Sequence, residues 1–161
     1  MDARDIDRAL KRPFPASQIS WRVGSTTRDK AKGVALAYID SRDVMRRLDE
    51  VFGLHWQARY SHAEGKTICE IGVKLDGEWV FRAGGAGDTD IEAEKGAISD
   101  AFKRAAVLWG IGRYLYELPN EWVELDEYKR LKRTPSLPKW ATPEGFDELM
   151  ARRDTKLKEA A

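Results

Sequence analysis

Lys103 and Arg104 stand side by side in AFKRAAVLW (101–109), a stretch otherwise apolar or small. Adjacent cations on a helix can contact successive phosphates. Asp100 is the nearest acid, at i, i+3 and i, i+4 spacing, so an ordinary surface ion pair is the plainer reading. Arg113, just past the apolar stretch, would extend a phosphate-binding rim. A second group is acidic: Asp88, Asp90, Glu92 and Glu94. Paired carboxylates of this kind can hold Mg²⁺ for phosphodiester hydrolysis, and acids also belong at a helix N-terminus, where they offset the macrodipole. The tract GGAGDTD (84–90) does not match the GxxxxGK[ST] phosphate loop and follows an antiparallel strand. It reads as a glycine hinge with Asp88 or Asp90 as N-cap, not a nucleotide site. The single Cys69 and the isolated His55 and His62 form no nucleophilic set and no metal centre, so no cofactor is expected.

The aromatic content carries a further signal. Six tryptophans and five tyrosines are many for this length. Trp56, Trp79 and Trp109 are assigned to the core. Trp21, Tyr38 and Tyr60 lie near Arg22 and Arg59. Cations interleaved with rings suit single-stranded nucleic acid, whose backbone follows charge and whose bases rest on aromatic faces.

The elements that must position these groups follow from periodicity. Residues 2–10 read as a short polar helix ended by Pro13-Phe14-Pro15. Strands are expected at 19–23 and 34–39, joined by the polar loop GSTTRDKAKG. Asp40 or Ser41 caps a helix whose Val44, Met45, Leu48, Val51 and Phe52 share one face, and Gly53 ends it. A three-stranded meander follows at about 55–61, 66–75 and 78–84, with turns at Glu64-Gly65 and Asp76-Gly77. Cys69, Ile71, Val73 and Leu75 share one face of its middle strand. A long helix spans about 91–109, where Gly96, Ala97, Ala101 and Ala105 allow close approach of another backbone. Gly110 and Gly112 break it. Beyond residue 125 the chain turns basic and proline-containing, and 142–161 can form one charged helix. The predicted division is a core domain at 1–125 and a tail at 126–161. The fold class is α+β, an antiparallel sheet in β-β-α-β-β-β-α order on a long helix.

Composition narrows the class. The 161 residues carry 28 Lys and Arg against 27 Asp and Glu, a formal net charge of +1. That balance excludes a uniformly basic histone-like chain and an acidic solvating tail. With 42% hydrophobic residues the chain is too apolar for wholesale disorder, and at this length it can bury about 70% of its unfolded surface. No apolar run reaches the roughly 20 residues that span a bilayer, and MDARDIDRALKR has no apolar core of a secretory signal. A cytoplasmic location in a bacterial cell is the expectation.

The tract KGAISDAFKRAAVLWGIGRYLYELP (95–119) resembles the Rad52/Rad22 family of single-strand annealing proteins, and most closely its short phage-encoded recombination members. AYIDSRDVMRRLDEVFG (37–53) resembles the family's strand-to-helix unit, and GKTICEIGVKLDGEWVFRAGGAG (65–87) its hairpin. The resemblance spans about residues 19–119. It implies a core that assembles into rings or helices, with single-stranded DNA in a basic groove, phosphates inward and bases outward. Lys103 and Arg104 match the basic pair at the groove base. Arg22 matches a groove arginine on the first strand, and Tyr38 the tyrosine opening YIDS. Lys66 resembles a lysine of a second, outer DNA site. Two departures stand out. Val107 is apolar where eukaryotic members carry a further cation, for which Arg113 can substitute. Asp88-Thr89-Asp90 lies where an outer-site lysine is found.

The implied function is ATP-independent annealing of complementary strands in homologous recombination and DNA repair, without enzymatic chemistry. The implied partners are single-stranded DNA, further copies of the chain, and a single-strand-binding protein or exonuclease; no membrane is involved. Two alternatives come from other classes. One is a non-catalytic adaptor acting through 126–161; the other is a metal-dependent nuclease using Asp88, Asp90 and Glu92.

Overall fold

A computed structural model describes residues 1–87 and 91–160; the side chains of 91–95 lie outside that description. The elements in chain order are α1 (Ala3–Lys11), β1 (Ser20–Thr26), β2 (Lys32–Tyr38), α2 (Ser41–Phe52), β3 (Trp56–Ala63), β4 (Lys66–Leu75), β5 (Glu78–Gly87), α3 (Ile91–Leu108), β6 (Glu121–Glu124) and α4 (Pro143–Glu159). They fall into two units: Met1–Lys11 with Asp40–Arg113, and Arg12–Ile39 with Tyr114–Ala161. The β-β-α-β-β-β-α order is the expected one. The strands, however, form two three-stranded antiparallel sheets, β1-β2-β6 and β3-β4-β5.

In the first unit, α2 starts with a capping box. The Asp40 carboxylate accepts from the Arg42 N–H at 2.7 Å, and the Asp43 carboxylate accepts from the Asp40 N–H at 2.9 Å. Val44, Leu48 and Phe52 are buried, while Met45, expected on that face, is exposed. Arg47, almost fully buried on α2, donates to the Ala9 and Leu10 carbonyls at the C-terminus of α1, at 2.8 and 3.2 Å. The β3-β4-β5 meander turns at Glu64-Gly65 and Asp76-Gly77, all four residues at positive φ, the geometry of tight hairpins that match the strand twist. Thr67, Cys69, Ile71 and Val73 are buried on one face of β4. Leu75 on the same face is only half-buried.

The segment GGAG belongs to strand β5, which continues to Gly87, and not to a loop. A Cβ on Gly84 would collide with the backbone of Arg104 and Ala105 in α3. Glycine is needed there for close helix–sheet approach rather than for a hinge, so composition alone reads the tract wrongly. Ala97, Ala101 and Ala105 line the buried side of α3, as expected for that approach. Gly96 has nothing within 4 Å of a would-be Cβ and takes no part. Phe102 is buried beside Trp56, ring centroids 6.1 Å apart. Trp109 is buried and donates from Nε1 to the Ile71 carbonyl at 3.0 Å. Trp79, assigned to the core, is instead 41% exposed and stacks on Phe81 at 6.3 Å. Register sets Trp79 opposite Lys74, on the face of the sheet away from Cys69, Ile71 and Val73.

In the second unit, β2 is central, flanked by β1 and by the four-residue β6. β6 carries no pattern long enough to read as a strand. The Tyr114 hydroxyl accepts from the Phe14 N–H at 3.0 Å, and the Arg12 guanidinium grips the Asp147 carboxylate with its Nη2 at 2.8 Å. The Thr142 hydroxyl caps α4 by accepting from the Gly145 N–H at 3.1 Å. Among the described residues, no helix is long and apolar enough to cross a membrane.

Gly84→Ala is expected to force α3 off the sheet and lower stability by about 1–3 kcal/mol. Gly85→Ala, whose Cβ meets only ordinary contacts, should stay within about 0.5 kcal/mol. Trp109→Ala should cost about 3–5 kcal/mol. Urea denaturation of the three variants checks the ranking.

Candidate nucleic-acid interface

The small residues that bring α3 against the sheet fix its rotation. With Ala101 and Ala105 facing β5, Lys103 and Arg104 fall toward the side of the helix. The Arg104 side chain is 54% exposed, and its Nε donates to the Asp100 carboxylate at 3.0 Å. An exposed i, i+4 pair of this kind contributes only about 0.3–0.5 kcal/mol, so a phosphate can replace the carboxylate at little cost. Lys103 is half-buried, with its charge near Asp40 at the start of α2. The Asp40 carboxyl lies below its ordinary value, first through the Arg42 side chain, then the Arg42 N–H, and more weakly through the charge on Lys103. Asp88 and Asp90, and the side chains of Glu92 and Glu94, lie outside the described residues.

Arg113, expected to lengthen the basic rim, has a different engagement. Its Nε and Nη2 donate to the Val107 carbonyl at 3.0 and 2.8 Å, and Nη2 also to the Leu108 carbonyl at 3.0 Å. Arg82 of β5 donates to the same Leu108 carbonyl at 2.6 Å, with its guanidinium 4.2 Å from the centre of the Trp109 ring. The last turn of α3 has no basic residue of its own. Two arginines from outside the helix therefore satisfy its terminal carbonyls and offset its negative end. No local sequence pattern marks Arg82 for this role. The only available signal was the strand register that sets it opposite Ile71, on the helix-facing side.

In the other unit, Arg22 and Tyr38 meet on one surface. Arg22 pairs with Leu36 and Ser20 with Tyr38 across β1 and β2, so Arg22 and Tyr38 are diagonal neighbours on one face. Tyr38 is 38% exposed. Arg22 is exposed and makes no ion pair among the described residues. Lys66 is exposed at the start of β4 and alternates with Thr67 and Cys69, which places it on the face away from α3. Within the first unit Lys103 and Arg104 lie on α3 and Lys66 on the sheet face away from it; within the second, Arg22 and Tyr38 share one sheet face.

The remaining reactive groups are quiet. Burial pushes the Cys69 thiol up to about 11, against an opposing hydrogen bond from Tyr60 and with a small addition from Glu70. Burial likewise pushes the Tyr60 hydroxyl up to about 12. Arg59, beside Tyr60 in sequence, lies on the other face of the sheet, its guanidinium 4.2 Å from the centre of the Phe81 ring.

The α+β chain thus displays cations on the flank of a long helix and on one face of a sheet. Residues 2–134 match the family model of the Rad52/22 double-strand break repair proteins, so the match extends beyond the tracts that carry the resemblance. Two curated relatives carry the name single-stranded DNA-binding protein DdrA. The one from Deinococcus deserti is 39% identical over 147 residues, covering 89% of this chain and 73% of that protein. The one from Deinococcus radiodurans is 37% identical over 147 residues, covering 89% and 71%. The chain belongs to the Rad52/Rad22 family. No solved structure matches it significantly.

Two predictions follow from the geometry. Arg113→Ala should lower stability by about 1–2 kcal/mol, because orphaned carbonyls remain at the end of α3; Arg104→Ala should change it by under about 0.5 kcal/mol. Urea midpoints separate the two. Cys69 should resist thiol reagents at pH 8 until the protein unfolds. The raised pKa means that the unfolded thiol ionises first. The stability contributed by the buried thiol is therefore complete below its ordinary value of about 9 and is lost as pH rises through about 11. Labelling across a denaturant series at pH 8, and melts across that pH window, check both parts.

Proposed function

We propose that the chain binds single-stranded DNA through Lys103 and Arg104 on α3, with Arg22 and Tyr38 in the same role on β1 and β2, and anneals complementary strands without a nucleotide cofactor. The observation that carries this reading is the adjacent cation pair on the flank of α3, where the Arg104 guanidinium is half exposed and pairs with the exposed Asp100 carboxylate. Family membership and the single-stranded DNA-binding relatives support it.

The physics is charge neutralisation joined to pre-organisation. Two complementary strands repel each other and fold on themselves, so nucleation of a duplex is slow. Cations that hold phosphates inward remove part of the repulsion and leave bases free to pair. Side-by-side copies of the chain, in a ring or helix, would turn a weak site into a continuous track. An open edge of the β3-β4-β5 sheet offers one route to such assembly. Lys66 belongs to a second, weaker contact on the far face. Arg113 acts through α3, by holding the end of the helix that displays the pair. The role is one of recombination and repair in the bacterial cytoplasm, alongside a single-strand-binding protein or exonuclease, with no reaction chemistry of its own.

Annealing of two labelled complementary oligonucleotides, without ATP and over a salt series, tests the reading. The wild type should accelerate annealing, and the acceleration should fade as salt rises. Lys103→Ala with Arg104→Ala should weaken single-strand binding about tenfold or more and reduce the slope of log K against log salt by about 1.4, the loss of two phosphate contacts on a single strand, with the oligomer unchanged by light scattering. Unchanged binding in that double variant would remove α3 from the interface. Mg²⁺-dependent loss of the labelled strand would point to the nuclease alternative.

A further inference from the structure

The β1-β2-β6 sheet carries a surface that the groove residues do not account for. Val34 pairs with Trp122 and Lys32 with Glu124 across β2 and β6. By the alternation of strand side chains, Trp122 and Lys32 share the face that bears Arg22 and Tyr38. The opposite face holds the buried Ala35 and Val123. Trp122 is nonetheless 48% exposed, so a large apolar ring stands in water beside the buried Val34.

The segment after β6 folds back along it. Leu125 bridges Leu131, and the Lys132 N–H donates to the Glu124 carbonyl at 2.9 Å. That return brings Lys132 and Arg133 alongside β6. Together with Lys32, Val123 and Glu124 they line an open cleft of about 450 Å³ around Trp122, within the range of small-ligand sites. Three cations face one carboxylate there. Lys132 reaches Glu124 at 3.3 Å, and Arg133 reaches Glu121 outside the lining at 2.6 Å. Both pairs are exposed, hence weak and exchangeable for phosphate.

We propose that this cleft is a base-stacking subsite for single-stranded DNA: Trp122 supports one base, and Lys32, Lys132 and Arg133 neutralise the phosphates on either side. The inference rests on the single-stranded DNA reading above and adds a subsite formed by the chain beyond α3. An indole ringed by cations suits this ligand, because each nucleotide offers a π-face and an anion together. The strand held at Arg22 and Tyr38 would continue along the same sheet face to Trp122.

The test compares binding of an oligo(dT) strand and an abasic deoxyribose-phosphate strand of equal length, by fluorescence anisotropy over a salt series. Trp122→Ala should weaken oligo(dT) binding about fivefold or more, with the salt dependence unchanged and abasic binding unaffected. Trp122→Phe should restore most of the loss, since a ring remains. Lys132→Ala with Arg133→Ala should weaken both strands alike and flatten the salt dependence. The inference is overturned if Trp122→Ala binds oligo(dT) like the wild type. It is also overturned if the loss is equal on the abasic strand, which would mark the cleft as a site for acidic surfaces in general, such as an acidic peptide. If the wild type binds neither strand at low salt, the DNA reading itself fails and this subsite with it. Normal wild-type binding combined with an inert Trp122 removes only the subsite.

Discussion

The close approach of α3 to β5 at Gly84 governs most of what this chain displays. Because no Cβ stands between them, the helix backbone at Arg104–Ala105 settles directly on the strand. That contact sets the rotation of the helix. Ala101 and Ala105 turn inward, Phe102 enters the core beside Trp56, and the Lys103–Arg104 pair is left on the flank. The Trp109 indole, hydrogen-bonded to Ile71, anchors the far end. A single methyl group at position 84 would therefore act on the presentation of two cations twenty residues away.

The arginines divide into two populations with different physics. Arg47, Arg82 and Arg113 bind backbone carbonyls at the ends of α1 and α3. Arg82 and Arg113 supply the positive charge that the last turn of α3 lacks, Arg47 adds to the Arg8 and Lys11 that α1 already has there, and the geometry of all three is specified by fixed acceptors. Arg104 and Arg133 are held by exposed carboxylates, which give them orientation and little energy. A polyanion competes easily for the second population and poorly for the first. On the proposed reading a near-neutral chain binds nucleic acid in this way, with its acids as placeholders for phosphates, and the net charge of the molecule says little about the charge of the surface that binds.

Local signals made much of this legible in the chain itself. The α2 capping residues, the two positive-φ hairpin turns, the alternation through Cys69, Ile71 and Val73, and the small-residue side of α3 all depend on neighbours within a few residues. The adjacent Lys103 and Arg104 stand out because the surrounding helix is apolar. Features set by long-range pairing did not show. Strand β6 is four residues long and exists because β2 offers it an edge. The GGAG tract looks like a hinge until a helix is packed on it. Trp79 looks like core, yet strand register turns it to the other face. Arg113 looks like one more phosphate contact until the carbonyls it holds are seen.

Sequence alone determined the order of elements, the family and the cation pair, because each is written in local spacing and residue type. Tertiary structure alone decided which cations hold helix-end carbonyls and which pair with exposed carboxylates. It also decided that Trp122 shares a face with Arg22 and Tyr38. Those outcomes depend on groups tens of residues apart being brought within a few ångströms, and no local pattern encodes which carbonyl or which strand edge a side chain will meet.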